Sequence, residues 1–281
     1  MHKNTLKTYV LLAALGGFLV FLGSRLLGPG GATIGVIIAL VTVGGSYWFS
    51  DKIAIRASRA EPVSEAEAPG LYRMVRELCL AANMPMPRLY MTPDPQPNAF
   101  ATGRNDKTAV VAVTRGITEL LSEDELRGVI AHELAHIKNR DILIGSVAAA
   151  IATAISYAAH LAFFFGGSDD DDGGNPIAAL ATLMLAPIAA GLIQMAISRS
   201  REFEADRIGA SFINSGEPLA RALEKLHLGA QSIPMKVEPA QASKYIVNPL
   251  TGRTARFAKL FSTHPPMEER IGRLRAPIAA R

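Results

Sequence analysis

Two histidines four residues apart carry the clearest chemical signal in the sequence. His132 and His136 belong to the stretch His-Glu-Leu-Ala-His. On a helix they project from one face, one turn apart, and both can reach a single metal ion. Glu133 lies about 100° around the same helix, beside the metal, where a general base for a water molecule should stand. The spacing predicts a hydrolytic metal site with Glu133 as its catalytic residue.

The residues around this motif fit the helix that it requires. Ser122 is followed three residues later by Glu125, a capping box that predicts the start of a helix. Apolar residues then recur at helical spacing and predict a buried face: Leu126, Val129, Ile130, Leu134 and Ile137. The alternative is a chance match with two surface histidines. The capped helix and its apolar face argue against that alternative.

A catalytic zinc site needs a third protein ligand. A third histidine in the pattern H-E-x-x-H-x-x-G-x-x-H is excluded, because Asn139 and Ile142 stand at the required positions. The best remaining cluster is SRSREFEADRIGA, in which Glu202 and Asp206 share a helix face and Glu204 points nearly the opposite way. The sequence therefore predicts Glu202 on the metal and Asp206 holding a ligand histidine by its other ring nitrogen. A solvated charged helix is the alternative.

Four apolar segments are candidates to cross a membrane: 9–27, 32–49, 142–166 and 176–197. A crossing needs about 20 mostly apolar residues, and hydrophobic residues make up 49% of the chain against 19% charged. The first two segments are shorter and rich in glycine, so a signal sequence or a buried hairpin is the alternative for them. Lysine and arginine flank the outer ends of both pairs, which predicts cytoplasmic termini and a cytoplasmic 51–141 region.

The predicted organisation alternates membrane hairpins with cytoplasmic regions. Residues 1–50 form one transmembrane hairpin and 142–197 a second. Residues 51–141 form a zincin-like region with the motif helix, and 198–281 a helical region with the third ligand. RLYMT and TAVVAVT predict short strands, with NAFATGRND as the turn between them. The predicted fold class is mostly α: four transmembrane helices carry a cytoplasmic zincin-like (gluzincin) domain with a small β-sheet.

Composition excludes some other functions. The net charge is +4, but no block of basic residues is interleaved with aromatics, so nucleic acid is not expected as a partner. The single cysteine, Cys79, excludes an internal disulfide framework and is expected to pack in the core. The four aspartates at 169–172 do not follow the pattern of a calcium-binding loop. They are expected in a solvated loop.

The motifs HELAHIKNRD, REFEAD, PNAFATG and STHPP occur in this order together with four apolar segments. This combination resembles the HtpX family of membrane-bound zinc metalloproteases, relatives of the CAAX prenyl proteases, over nearly the whole chain. The resemblance implies a zinc metalloendopeptidase of the cell inner membrane with a cytoplasmic active site. It also implies one Zn²⁺ per subunit, bound by His132, His136 and Glu202, with Glu133 catalytic.

The same resemblance implies a cellular role. The family acts in membrane-protein quality control, often under heat or envelope stress. The expected partners are therefore the lipid bilayer and misfolded or damaged membrane proteins cut at cytoplasmic segments, with cooperation from other membrane quality-control proteases. If the motif helix continues into the third apolar segment, the metal stands only about 9 Å beyond that segment. That placement predicts a preference for cleavage sites near the bilayer.

Three further residues are candidates for substrate binding. Asn98 and Ala99 in PNAFATG resemble a family segment beside the site, and an edge strand there could pair with an extended substrate; a plain turn is the alternative. His264 in STHPP could approach the zinc or stabilise an oxyanion. The favoured interpretation of His264 is simpler: it precedes a helix that opens at Pro265 or Pro266.

Two other functions remain open from the sequence. A non-catalytic membrane scaffold with a structural metal conflicts with Glu133, because a closed structural site needs four protein ligands and no base. A prenyl-protein protease is similar at the motifs. That family, however, encloses its site among more membrane helices than the four candidates here.

Overall fold

The computed structural model describes residues 30–103, 105–142, 199–232, 246 and 265–276, with a few positions between 10 and 24. The chain divides into two compact units, one of residues 1–49 and 144–197 and the other of 50–143 and 198–281. Most of the first, third and fourth apolar segments, the 169–172 aspartates and His264 lie outside the described residues. Within the described part of the chain, no helix is both long and apolar enough to cross a membrane.

The described elements are mostly helices. They are α1 (Gly31–Ala57), β1 (Glu61–Pro62), α2 (Pro69–Ala82), β2 (Arg88–Thr92), β3 (Ala99–Thr102), a 3-10 turn (Asp106–Thr108), β4 (Val110–Thr114), α3 (Arg115–Leu120), α4 (Glu123–Asn139), α5 (described over 199–212), α6 (Glu217–Ser232) and α7 (Met267–Arg275). The predicted combination of mostly helices with a small sheet is confirmed. The four transmembrane helices stay a prediction.

The second unit contains a four-stranded mixed sheet in the order β1-β2-β4-β3. Strands β2 and β4 are parallel, with Tyr90 opposite Ala112, whereas β1 and β3 run antiparallel to their neighbours. The prediction of a turn at NAFATGRND was wrong for its first half, because AFAT forms β3 and pairs with β4. All four residues of β3 are buried, and this tertiary burial outweighs the turn preference of the flanking Asn and Gly.

The core lies between one face of this sheet and helices α2, α4 and α6. Helix α4 packs against α6, α2 and strands β3 and β4, so it runs through the centre of the unit. Gly128 permits the α4–α6 crossing, because a Cβ there would lie 2.5 Å from the backbone nitrogen of Leu219. The motif helix is thus held on several sides by packed elements.

Candidate metal centre

Helix α4 positions the two motif histidines. The predicted capping box is present, since Ser122 accepts from the backbone N–H of Glu125 and Glu125 accepts from that of Ser122. The rings of His132 and His136 meet edge to face, and their Nε2 atoms are 3.1 Å apart. Two imidazole nitrogens this close together can both be ligands of one metal ion.

The motif helix ends soon after the second histidine. Helix α4 stops at Asn139, and Arg140 adopts the left-handed conformation with φ 58°, its N–H donating to the carbonyls of His136 and Ile137. The condition that the helix continues unbroken into the third apolar segment is therefore not met. The capping bonds close the last turn instead, and the 9 Å distance calculated from an unbroken helix no longer applies.

Helix α5 supplies the third group. Glu202 Oε1 lies 3.3 Å from His136 Nε2, and Glu202 Oε2 lies 3.6 Å from His132 Nε2. Glu204 points away into solvent and pairs with Arg207. The structure thus brings His132, His136 and Glu202 together, each offering one ligand atom within 4.8 Å of the others.

The spacing of these three groups fits a zinc ion. Two atoms bonded to tetrahedral zinc at about 2.0–2.1 Å stand about 3.3 Å from one another. The separations of 3.1, 3.3 and 3.6 Å fall around that value, the last two being measured to different oxygens of Glu202. The donor set of two imidazoles and one carboxylate is one that zinc uses in catalytic sites with an open fourth position. The residues therefore fit the metal that their chemistry implies.

The far side of each imidazole faces a carboxylate. Asp206 Oδ1 lies 2.8 Å from His132 Nδ1, and Asp141 Oδ2 lies 3.0 Å from His136 Nδ1. A proton held on Nδ1 by a carboxylate leaves the Nε2 lone pair for a metal. Asp206 stands where its spacing predicted. Asp141 was missed, although its position directly after the end of the motif helix was a signal that could have indicated it.

A buried arginine that the sequence did not indicate completes the cluster. Arg270 on α7 has 0% of its surface exposed and donates to both oxygens of Asp206, at 2.9 and 2.7 Å. Although burial alone would raise the pKa of Asp206, the nearby Arg270 and His132 hold it below its ordinary value. Asp206 is therefore ionised and fixed between the arginine and the histidine.

The charges of the cluster also favour a bound cation. Four carboxylates interact electrostatically with the two motif histidines: Glu133, Asp141, Glu202 and Asp206. Two guanidiniums, those of Arg201 and Arg270, interact electrostatically with these carboxylates. Among these described groups the four carboxylates outnumber the two guanidiniums. Buried carboxylates are paired or bind a metal, so the cluster favours a bound cation.

The electrostatics of the histidines point the same way. Burial alone would lower the pKa of His136, but Glu202 and Asp141 outweigh it and raise the value to about 10. The pKa of His132 is raised as well, since Asp206 and Glu202 outweigh burial and the neighbouring His136. The site therefore attracts positive charge at both imidazoles.

Glu133 lies beside the ligand atoms rather than among them. Only 3% of the Glu133 surface is exposed. This burial raises the pKa of its carboxyl above the ordinary value, although the two histidines act to lower it. The backbone of Ala101 in β3 hydrogen-bonds to it. A carboxylate whose pKa is raised is better matched to taking and returning a proton near neutral pH.

The predicted substrate-binding residues occupy the start of β3. Asn98 is fully buried, and its backbone N–H donates to Thr114 Oγ1 at 2.8 Å. The carbonyl of Ala99 accepts from the backbone N–H of Ile246 at 3.3 Å. Strand β3 is the last strand in the sheet order, and the backbone of its residue Ala101 bonds to Glu133. A substrate role for Asn98 and Ala99 stays a prediction.

The arrangement agrees with what comparison with known proteins shows. The family model described as "Peptidase family M48" matches residues 65–278, which include every group in the candidate centre. The chain belongs to peptidase family M48. The resemblance to HtpX proteins is confirmed by relatives named "Protease HtpX homolog".

The relatives match over almost their full length. The protein from Syntrophobacter fumaroxidans is 54% identical over 278 residues, 96% of this chain and 98% of the relative. The protein from Pelotomaculum thermopropionicum is 53% identical over 279 residues, 97% and 99% of the two chains. A third, from Burkholderia mallei, is 53% identical over 275 residues, 96% of each. Their names are those of proteases.

The fold is also similar to a solved structure, that of S. mikatae Ste24p. The TM-score is 0.59 at 19% sequence identity, over 97% of this chain and 66% of that chain. At this identity the likeness concerns the fold alone, and this chain spans about two thirds of the Ste24p length. The family assignment rests on the sequence matches, and the Ste24p likeness agrees with the mostly helical architecture.

Proposed function

We propose that this protein is a zinc-dependent membrane endopeptidase that cuts misfolded or damaged membrane proteins at their cytoplasmic segments. One observation carries the proposal: Glu133 is buried and interacts electrostatically with His132, His136 and Glu202, whose ligand atoms converge. Membership of a peptidase family supports the reaction class. A metal ion that polarises the carbonyl and a carboxylate base that activates water are together sufficient for hydrolysis of a peptide bond.

Each side chain of the centre has a separate role in the hydrolysis. When bound, zinc would polarise the peptide carbonyl and stabilise the charge that develops on its oxygen. Glu133 takes a proton from the attacking water and then delivers it to the leaving amine. Asp206 and Asp141 hold the two imidazoles in orientation through their Nδ1 atoms.

Strand β3 is the proposed docking site for an extended substrate. It lies at the end of the sheet order and its Ala101 backbone bonds to the base Glu133. A substrate strand alongside β3 would gain backbone hydrogen bonds irrespective of its sequence, replacing the bond that the Ala99 carbonyl accepts from Ile246. Such recognition suits a quality-control protease, whose damaged substrates share an exposed backbone rather than a common motif. Asn98 and Ala99 would lie at the beginning of that strand.

The membrane location is supported by the apolar segments and by α1. Large apolar side chains on its Gly31–Phe49 part are exposed, among them Leu40 and Val41 at 69% each. Exposure of such apolar surface to water is unfavourable by about 25 cal/mol for each Å². Transfer of the same surface into the hydrocarbon of a bilayer removes this cost. Together with the basic residues that flank the segments, this supports an inner-membrane protein with cytoplasmic termini and a cytoplasmic active site.

The proposal is tested with Glu133→Gln, which keeps the shape of the side chain and removes the proton acceptor. The purified full chain in lipid is assayed for cleavage of an unfolded membrane protein, and its zinc is measured by elemental analysis. We expect cleavage to be lost and one zinc per chain to remain. Glu123→Gln, an exposed glutamate on the same helix, should behave as the native protein.

Two outcomes oppose the proposal. Cleavage by a zinc-loaded Glu133→Gln variant near the native rate would show that Glu133 is not the base. Cleavage by the native chain that persists after the metal has been removed by a chelator would show that no metal takes part. A prenylated peptide and its unprenylated form, compared in the same assay, separate this function from that of a prenyl-protein protease.

A further inference from the structure

The C-terminal helix α7 places one buried guanidinium against several groups of the metal centre. Arg270 lies 64 residues beyond Asp206 in the chain, yet its Nε and Nη2 bond to both oxygens of that carboxylate. A fork of this kind fixes the relative orientation of the two planes, which an ammonium on a flexible stem does not. The Asp206 carboxylate in turn faces His132 Nδ1.

The same guanidinium also reaches the candidate ligand. Arg270 Nη1 lies 3.3 Å from Oε2 of Glu202 and donates to the carbonyl of Ile246, also at 3.3 Å. Arg270 Nη2 lies 3.5 Å from His132 Nε2. The two oxygens of Glu202 thus have different surroundings. Oε1 lies 3.3 Å from His136 Nε2, whereas Oε2 lies 3.6 Å from His132 Nε2 and 3.3 Å from the guanidinium.

We propose that Arg270 is a positioning residue that makes Glu202 a one-oxygen ligand of the metal. A carboxylate can bind a metal through one oxygen or two. A second oxygen from Glu202 would enter the position that a catalytic zinc keeps open for its reactants. By attracting Oε2, the guanidinium leaves Oε1 to face the metal position. The inference rests on the proposed metallopeptidase function and gives α7 a part in it.

The number of donors explains why this position needs an arginine. Two of its N–H groups are taken by Asp206 and one by the Ile246 carbonyl, and the guanidinium still stands at ion-pair distance from Glu202. A lysine has the same charge, but its three donors are on a single nitrogen. That nitrogen cannot form two parallel bonds to Asp206 and also reach Glu202. Arg270→Lys therefore separates the geometry of the fork from its charge.

The test replaces the metal with Co²⁺, whose visible absorption is stronger in four-coordinate than in five-coordinate sites. The full chain in lipid is prepared as the native protein, as Arg270→Lys and as Arg275→Lys. Arg275 is the matched control, because it is on the same helix but pairs at the surface with Glu217 and Glu224. Absorption spectra, metal affinity, kcat and KM are measured for each.

We expect the native protein and Arg275→Lys to give the four-coordinate spectrum. Arg270→Lys should give a weaker, five-coordinate spectrum, a metal affinity lower by about 10–100-fold, as for the loss of an outer partner, and a fall in kcat larger than the change in KM. A native cobalt spectrum together with a native kcat in Arg270→Lys would overturn the proposal. A purely structural role would lower thermal stability without changing the spectrum.

A second variant keeps the test decisive if Arg270→Lys does not fold. Arg270→Gln combined with Asp206→Asn removes both members of the buried pair, so the net charge of the core is unchanged and neither partner is left without the other. This double variant should show the same five-coordinate spectrum, and a four-coordinate one would oppose the proposal. The failure of the proposed function has a different signature, since the native chain itself would then neither bind the metal nor cleave substrate.

Discussion

The close approach of helix α5 to helix α4 at Gly209 should determine the positions of the metal ligands. Gly209 on α5 faces the backbone of α4, and a Cβ at this position would lie 2.9 Å from the backbone nitrogen of His132 and 3.0 Å from the carbonyl carbon and oxygen of Ala131. All three atoms belong to the backbone of the motif helix, so no flexible side chain can move aside. Gly209→Ala therefore has to push the two helices apart.

The size of the displacement follows from these distances. Ordinary contact of a Cβ begins at 3.4 Å, so removing the 2.9 Å approach requires a shift of about 0.5 Å. Metal sites tolerate about 0.2 Å in ligand distance, and both Glu202 and Asp206 are on the displaced helix. Overpacking lowers the free energy of unfolding by about 1–3 kcal/mol. Replacing glycine by alanine within a helix raises it by about 1 kcal/mol.

We therefore expect Gly209→Ala to lower zinc affinity about 10-fold or more, as the loss of a supporting contact does, while the metal-free protein loses at most about 2 kcal/mol. Zinc affinity is measured by competition with a chelator and stability by unfolding of the metal-free chain. Gly272→Ala is the control, because nothing lies within 4 Å of its added Cβ. Native zinc affinity in a folded Gly209→Ala protein would refute the reasoning.

Two further predictions follow from the described contacts, and a third follows from the proposed membrane location. Asp206→Ala should weaken zinc binding by about 10–100-fold, because His132 loses the partner of its Nδ1; unchanged affinity in a chelator titration would contradict this. Burial raises the pKa of the Cys79 thiol to about 11, so iodoacetamide at pH 8 should label it only after unfolding, and rapid labelling of the native protein would show that the thiol is accessible. A single cleavable sequence, moved away from a membrane span on flexible linkers, should be cut best at short to moderate distance. Equal cutting of the same sequence free in solution, at matched concentration, would show that membrane proximity does not select substrates.

The residues that the sequence could indicate are those related by helical periodicity. His132 and His136 are one turn apart on α4, and Glu202 and Asp206 are one turn apart on α5, so the 3.6-residue repeat alone puts each pair on one face. The same argument correctly turned Glu204 outward. The capping box at Ser122 was equally local, because both of its bonds join residues three apart.

The features that the sequence did not indicate depend on contacts between distant parts of the chain. Arg270 reaches Asp206 across 64 residues, so local spacing cannot name its partner, although its place four residues before the buried Leu274 puts it on the inner face of the helix. The AFAT strand was missed because Asn98 and Gly103 around it favour turns, whereas its pairing with β4 decides the conformation. The end of the motif helix is marked by an arginine in the left-handed conformation, Arg140, rather than by the usual glycine.

The central claim is that His132, His136 and Glu202 hold one zinc ion, and the metal content of two glutamate variants tests it most directly. The side chains of Glu202 and Glu204 are two positions apart on α5, but one is buried at the site and the other is exposed beside Arg207. Elemental analysis of the purified native chain should find one zinc per chain. Glu202→Ala should lose most of it and Glu204→Ala should keep it; a variant pair in which Glu204→Ala loses the zinc and Glu202→Ala retains it would contradict the account.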